Sequence, residues 1–447
     1  MFAEVSHLEL LQGIALTILS VTIIAIIWGK IDRSAVAIFG AILMVITGVL
    51  SDIEAFNAVD WNVIVLIISM WILAGYFSKS GIPELLAHKA VGWSKGSLSN
   101  FIIILGTMAG IVSLFVDNIL VILIFAPVAL HITRLIKINP VPFLVFIGLC
   151  ANFTGSALLI GDLPPQMLHS VTGIEFLSFI WFQGRPSSFI ILMVTFAAVL
   201  LFFKVYFDKK FRGKMEILTA FEALEPTPRN LQIDKGFAAA TVAFFTATII
   251  ALSLREIIGL RLGAIALIGA SSMVLFMETA GRRYKKPSFE DILISLDWRA
   301  VLFYISLFIL IGGINSQGLI ESAAKAISPL LTSNDYVGVT ALYWITVPIV
   351  GVLEHDAYIL AFLYIIKDLA AQGAIMPWPF YWAILWAGTL GSNLTVAGAP
   401  ALLAALNMCE RDKCKVGFKE FIGYSIPFVL VSVSVCYLLL MVFWVFI

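Results

Sequence analysis

Residues 60–87 read DWNVIVLIISMWILAGYFSKSGIPELLA, and residues 297–324 read DWRAVLFYISLFILIGGINSQGLIESAA. The two stretches lie 237 residues apart and agree without a gap at ten of 28 positions, among them Asp60/Asp297, Trp61/Trp298, Gly75/Gly312, Gly81/Gly318 and Glu84/Glu321. Shared apolar composition accounts for the Ile and Leu matches, but not for the Asp-Trp pair or the glycines. The same offset places Gly161 over Gly398, each inside a Gly-rich stretch that interrupts an apolar run. A chain that repeats itself and breaks its apolar segments in matching places has the pattern of a secondary transporter, with the binding site at the breaks.

Composition sets the medium. Charged residues are 13% of the chain and hydrophobic residues 61%, against about 25% charged in ordinary globular domains. Stretches such as 10–29, 187–203 and 424–447 are long and apolar enough to cross about 30 Å of hydrocarbon as helices. The alternation that a membrane β-barrel needs is absent. The fold class expected is therefore an all-α polytopic membrane protein. The first segment has no basic region before it and no clear cleavage site, and reads as a retained helix rather than a signal peptide. Net charge is zero, with nothing to suggest a nucleic-acid partner, and the four cysteines (Cys150, Cys409, Cys414, Cys436) form no disulfide framework. Cys409 and Cys414 share a basic loop, where a metal- or arsenite-sensing role and ordinary loop thiols are both open.

About 10 transmembrane helices are expected, at 8–29, 35–50, 61–78, 141–166, 187–204, 236–257, 262–280, 298–314, 380–407 and 424–447. The stretches 98–134 and 336–370 are each long enough for two helices but carry a polar break near the middle, and read as two re-entrant hairpins. Ten crossings put both termini on one face. The loops of the opposite face hold 23 of the 28 Lys and Arg residues, so the positive-inside rule makes the termini extracytoplasmic and the two repeats inverted. The domains are then 1–204, a first inverted repeat; 205–235, a cytoplasmic linker containing Pro226 and Pro228; and 236–447, a second inverted repeat.

Four polar breaks carry the chemistry. The first, SLFVDNILVILIFAP, sets Asp117 and Asn118 in the first hairpin. A carboxylate at membrane depth faces a cavity, pairs or titrates; Asp-Asn also suits a helix cap at the turn, and the two roles are compatible. The second, ANFTGSALLIGDLPP, offers Asn152, Thr154, Gly155, Ser156, Gly161 and Asp162, with Pro164 and Pro165 preventing a continuous helix. Unwound backbone there exposes carbonyls to a cation and a half-helix N-terminus to an anion, although glycine in a membrane helix also serves close packing. The third, GVLEHDAYILAF, places Glu354, His355 and Asp356 in an apolar run, as proton-coupling groups or as residues at the outer water interface. Gapless register sets Glu354 opposite Asp117; a one-residue shift sets His355 there instead. The fourth, AGTLGSNLTVAGAP, supplies Ser392, Asn393, Thr395 and Gly398 but no acid.

These residues resemble the ion transporter superfamily, in its arsenite-permease, sodium–proton-antiporter and P protein branch. The likeness covers nearly the whole chain and rests on RSAVAIFGAILMVITGVL at 33–50, the Asp-Trp helix start, FVDN at 115–118, IGDLPP at 160–165, GSNLTVAGAP at 391–400 and FKEFIGYSIPF at 418–428. It implies two inverted repeats, each with a re-entrant hairpin and a discontinuous helix, and substrate bound between hairpin tip and helix break. Two departures fall at the site: Gln166 follows Pro164-Pro165 where the branch usually has Asn, and Glu354-His355-Asp356 replaces a second Asp-Asn.

The reading is a proton- or sodium-coupled secondary transporter. Sodium–proton antiport comes first, with Asp117 and Asp162 as hard oxygen ligands for sodium that protons compete for, and Asp117, Asp162, Glu354, His355 and Asp356 as proton-coupling candidates. Efflux of arsenite or another oxyanion is the alternative, since neutral arsenite needs only hydroxyl and amide groups. A di- or tricarboxylate is third, because an anion would be repelled by this many acids, and a non-transporting receptor stands as a further alternative. No His-Glu-x-x-His, Gly-x-Ser-x-Gly or nucleotide-binding motif occurs, so neither an enzyme nor an ATP-driven pump is indicated. No cofactor is expected beyond the coupling ion, sodium or a proton. The partners implied are the lipid bilayer and a small inorganic ion, and a homodimer is compatible with the resemblance.

Overall fold

The computed structural model describes the chain apart from residues 1, 29, 213–233, 333, 354, 397, 412–413, 415 and 447. Its first half is α1 Phe2–Trp28, α2 Arg33–Ile46, α3 Asp52–Ala58, α4 Trp61–Lys79, α5 Ile82–Trp93, α6 Leu98–Ser113, α7 Asn118–Leu135, α8 Val141–Gly155, α9 Leu163–Thr172 and α10 Ser188–Phe211. The second is α11 Lys235–Ser253, α12 Arg255–Ile258, α13 Leu262–Glu278, α14 Phe289–Ser295, α15 Trp298–Ser316, α16 Leu319–Thr332, α17 Asp335–Val350, α18 His355–Ala371, α19 Pro377–Ser392, α20 Pro400–Arg411 and α21 Phe418–Leu440. Apart from a two-residue hairpin, β1 Trp181–Phe182 with β2 Arg185–Pro186, the regular structure is helical.

The 237-residue register seen in the sequence recurs in the helices. Their starts coincide at Asp52/Phe289, Trp61/Trp298, Ile82/Leu319, Leu98/Asp335, Asn118/His355 and Leu163/Pro400. Local chemistry is copied with them. Ser51 and Glu54 close a capping box at α3, as Ser288 and Asp291 do at α14. Asp60 and Asp297 cap α4 and α15, while the indoles of Trp61 and Trp298 donate to the carbonyls of Phe56 and Leu293 at 3.0 and 2.8 Å. Gly81 and Gly318 both adopt left-handed backbone, φ 75° and 70°, where the chain turns into the next helix. These constraints explain the identities that apolar composition does not.

The halves interlock. α2 packs on α15, and α13 packs on α4, so the Asp-Trp helix of each half is covered by a helix of the other. Gly263 N–H donates to Asn62 Oδ1 at 2.9 Å across that contact. α6 packs on α8 just as α17 packs on α19.

Seven helices are long and apolar enough to span a bilayer among the described residues: α1, α4, α7, α10, α11, α15 and α21 with its extension to Phe446. The expected spans at 35–50 and 262–280 are the shorter apolar helices α2 and α13. The expected spans at 141–166 and 380–407 are broken, α8 from α9 and α19 from α20. The stretch 98–134 forms two packed helices, α6 and α7, separated at 114–117. The linker expected at 205–235 starts later than its boundary. α10 continues to Phe211, because Phe203, Phe207 and Phe211 keep helical spacing and Lys204 pairs with Asp208 one turn on; residues 213–233 lie outside the described set.

Candidate functional site

The breaks bring their polar groups together at the centre of the molecule. Asp117 is the N-cap of α7, its Oδ1 accepting from Ile119 N–H at 2.9 Å. Asp162 is the N-cap of α9, accepting from Leu163 N–H at 2.9 Å. Both carboxylates line one small cavity of about 20 Å3, together with Gly161, Gln166, Trp71 and Tyr304. That volume admits one water or one bare monovalent ion. The two carboxylates are close enough for their charges to interact, and Tyr304 lies within electrostatic reach of Asp117, Asp162 and Asp356.

Asn118 ties the hairpin to the helix break. Its amide nitrogen donates to Asp162 Oδ2 at 2.8 Å and approaches Asn152 Oδ1 at 3.4 Å, while its oxygen accepts from Ser113 Oγ at 2.7 Å. Asn152, fully buried, passes the chain of bonds to the other half: its Nδ2 is 3.0 Å from Ser392 Oγ and 3.1 Å from Asn393 Oδ1. A buried polar network is worth keeping only when its members are satisfied, and these satisfy one another. Gly155 leaves room for it, since a Cβ there would stand 2.7 Å from Asn118 Oδ1.

The glycines Gly161 and Gly398 share one environment. A Cβ on Gly161 would meet the carbonyls of Gly155 and Ser113 at 2.5 and 2.7 Å; on Gly398 it would meet those of Ser392 and Val350 at 2.5 and 2.7 Å. Every one of these positions is related by the same register. So are Ser188 and Ser425, whose hydroxyls donate to Ser156 O and Asn393 O, both at 2.9 Å. Ser188 Oγ in turn accepts from the indole of Trp386 at 2.8 Å.

Other residues singled out by the sequence point elsewhere. Thr154 donates to Gly110 O at 2.8 Å and Thr395 to Gly351 O at 2.5 Å, so both hydroxyls brace a break against its hairpin rather than lining the cavity. Ser156 is fully buried, with no hydrogen-bond partner for its hydroxyl among the described residues. Ser392 and Asn393 meet Asn152, not the cavity. His355 and Asp356 are buried, with Nε2 and Oδ1 3.3 Å apart. The helix starts at Asn118 and His355 favour the gapless register; Glu354 lies outside the described residues. Cys409 is buried and Cys414 half-buried. Tyr304 and Trp71 are cavity residues that sequence reasoning missed. A signal for the first existed, because the repeat sets this phenol over Ile67, itself in the cavity wall.

A family model described as citrate transporter matches residues 23–387. The chain belongs to that family. It is a secondary transporter, an integral multi-pass membrane protein, and the expected membership of the ion transporter superfamily holds. An uncharacterized transporter of Mycobacterium tuberculosis is 26% identical over 414 residues, covering 91% of this chain and 93% of that one. The P protein of Mus musculus is 23% identical over 510 residues, covering 95% of this chain but 60% of its own length. The crystal structure of the Alcanivorax borkumensis YdaH transporter, reported as having an unusual topology, superposes with a TM-score of 0.55 over 85% of this chain and 84% of that one. At 16% identity that likeness speaks for the fold alone.

Proposed function

We propose that this family member is a cation-coupled permease with sodium–proton exchange as its activity, the cation bound between Asp117 and Asp162. One observation carries the reading: two carboxylates face a cavity of one-ion size whose lining includes no Lys, Arg or His. Hard carboxylate oxygens suit sodium, and a proton competes for the same oxygens. The rest of the scheme belongs to the same proposal: inverted repeats, both termini extracytoplasmic, and each hairpin entering and leaving on one side.

A di- or tricarboxylate is the second reading, favoured by the family's description. Such an anion would need cations to offset Asp117 and Asp162 and a cavity wider than about 20 Å3. Arsenite-type efflux is less well supported, because the amides and hydroxyls it would use at Asn118, Asn152, Ser392 and Asn393 are engaged with each other.

Purified protein in liposomes with an imposed pH gradient, screened with sodium, lithium, arsenite and citrate, tests this. Sodium- or lithium-dependent dissipation of the gradient, without citrate or arsenite, is expected. Flux of citrate or arsenite with no such dissipation would displace the proposal, and no flux of any kind would favour a receptor.

A further inference from the structure

We infer that the repeat has kept its cation cage in the first half only, and that in the second half the buried His355–Asp356 pair replaces it as a proton site. This rests on the cation reading above for its first part; the second part is separable.

The backbone of the two breaks is alike, as Gly161 and Gly398 demonstrate by meeting equivalent carbonyls at equal distances. The side chains are not. In the first half Ser113, Asn118, Asn152 and Asp162 form one hydrogen-bonded cage. Their register mates are Val350, His355, Thr389 and Ala399. Two polar members have become apolar, the Asp162 carboxylate among them, and Thr389 returns its hydroxyl to Leu385 O at 3.0 Å; Glu354, the register mate of Asp117, lies outside the described residues. The second break therefore lacks the side-chain cage that holds Asp162 in the first.

His355 is 2% exposed and Asp356 3%, and neither ring nitrogen of His355 has a hydrogen-bond partner among the described residues. A buried imidazole left so is costly when neutral. A proton taken up on the ring makes an ion pair with the carboxylate 3.3 Å from Nε2. On the helices packed against α18, the titratable groups are His169 on α9, Arg299 and Tyr304 on α15, Glu321 and Lys325 on α16, and Tyr381 on α19. Tyr304 lies within electrostatic reach of Asp356 and of both Asp117 and Asp162. A proton at His355 therefore changes the field at the cation cavity without occupying it.

The test compares the full chain, His355→Asn, His355→Gln and the triple variant Val350→Ser, His355→Asn, Ala399→Asp, each checked for a monodisperse gel-filtration peak. Sodium binding by calorimetry should give one ion per chain in the first three, and two in the triple variant, which restores three of the four cage members. Histidine NMR should show one resonance that moves on titration and is missing from His355→Asn. Two sodium ions on the unaltered chain would overturn the single-cage inference. Absence of the titrating resonance, or its survival in both His355 variants, would overturn the proton site. No sodium bound to the unaltered chain would sink the cation reading, while the resonance would still decide the pair.

Discussion

The side-chain amide of Asn152 stands 3.0 Å from Ser392 Oγ, so a direct side-chain hydrogen bond joins the helix break of one half to that of the other. On its other side Asn152 meets Asn118, which holds Asp162. Two side-chain amides thus connect the Asp162 carboxylate to the other half across the repeat boundary.

Removing the first of them should be the more damaging. Asn152→Ala takes an acceptor from the Asn118 amide in one half and a donor from Ser392 Oγ and Asn393 Oδ1 in the other, and should lower stability by about 1–3 kcal/mol, the usual penalty for such orphaned groups. Asn393→Ala loses only the acceptor 3.1 Å from Asn152 and a 3.5 Å bond to Leu149 O, and should cost less. Thermal unfolding of the two variants in detergent measures the difference; an equal loss in both would contradict the network.

At the carboxylates, charge can be removed while the caps are kept. Asn caps a helix about as well as Asp, so Asp117→Asn and Asp162→Asn should insert and fold normally. Sodium-dependent flux should nevertheless fall roughly tenfold or more, equivalent to about 1.4 kcal/mol of lost binding or coupling. Wild-type coupled flux in Asp117→Asn would reduce that residue to a helix cap.

Gly161→Ala and Gly398→Ala should fail alike. Each added methyl meets backbone carbonyls at 2.5 and 2.7 Å, and backbone cannot swing away. Gly75→Ala is the control, its nearest neighbour being an Ile292 side-chain methyl at 3.1 Å. Yield of monodisperse protein should collapse for the first two and hold for the third.

Orientation is testable by introduced cysteines at Lys209, exposed near the end of α10, and at Phe2. The inverted arrangement requires a membrane-impermeant thiol reagent to label position 2 and spare position 209 in intact cells. Labelling of position 209 from outside would remove the basis for it.

The fold was largely legible because its strongest constraints are chemical rather than statistical. Asp60 and Asp297 cap, Gly81 and Gly318 turn left-handed, and Gly161 and Gly398 sit against carbonyls; residues with one physical task stay recognisable at a fixed offset. Direction was not legible. A threonine in an apolar helix can return its hydroxyl to the backbone, and Thr154 does so at Cys150 O, 3.1 Å, as well as at Gly110 O; nothing in ANFTGS distinguishes that from a hydroxyl aimed at an ion. Tyr304 lies on a helix whose pattern is apolar throughout, and only its position over Ile67 hints at a cavity shared between repeat mates.

The bond from Trp386 to Ser188 gives the molecule an optical handle on one of its helix breaks. Ser188 also holds Ser156 O, at the end of α8 where the second polar break begins, so the indole is two hydrogen bonds from unwound backbone. Trp386 stacks on Trp382 at 5.4 Å with 15° between their planes, close enough for the two transitions to mix and give a signed pair of near-ultraviolet circular dichroism bands. A rearrangement at Ser156 that pulls on Ser188 should tilt one ring against the other and change that signal, making the unlabelled protein a reporter of its own transport cycle.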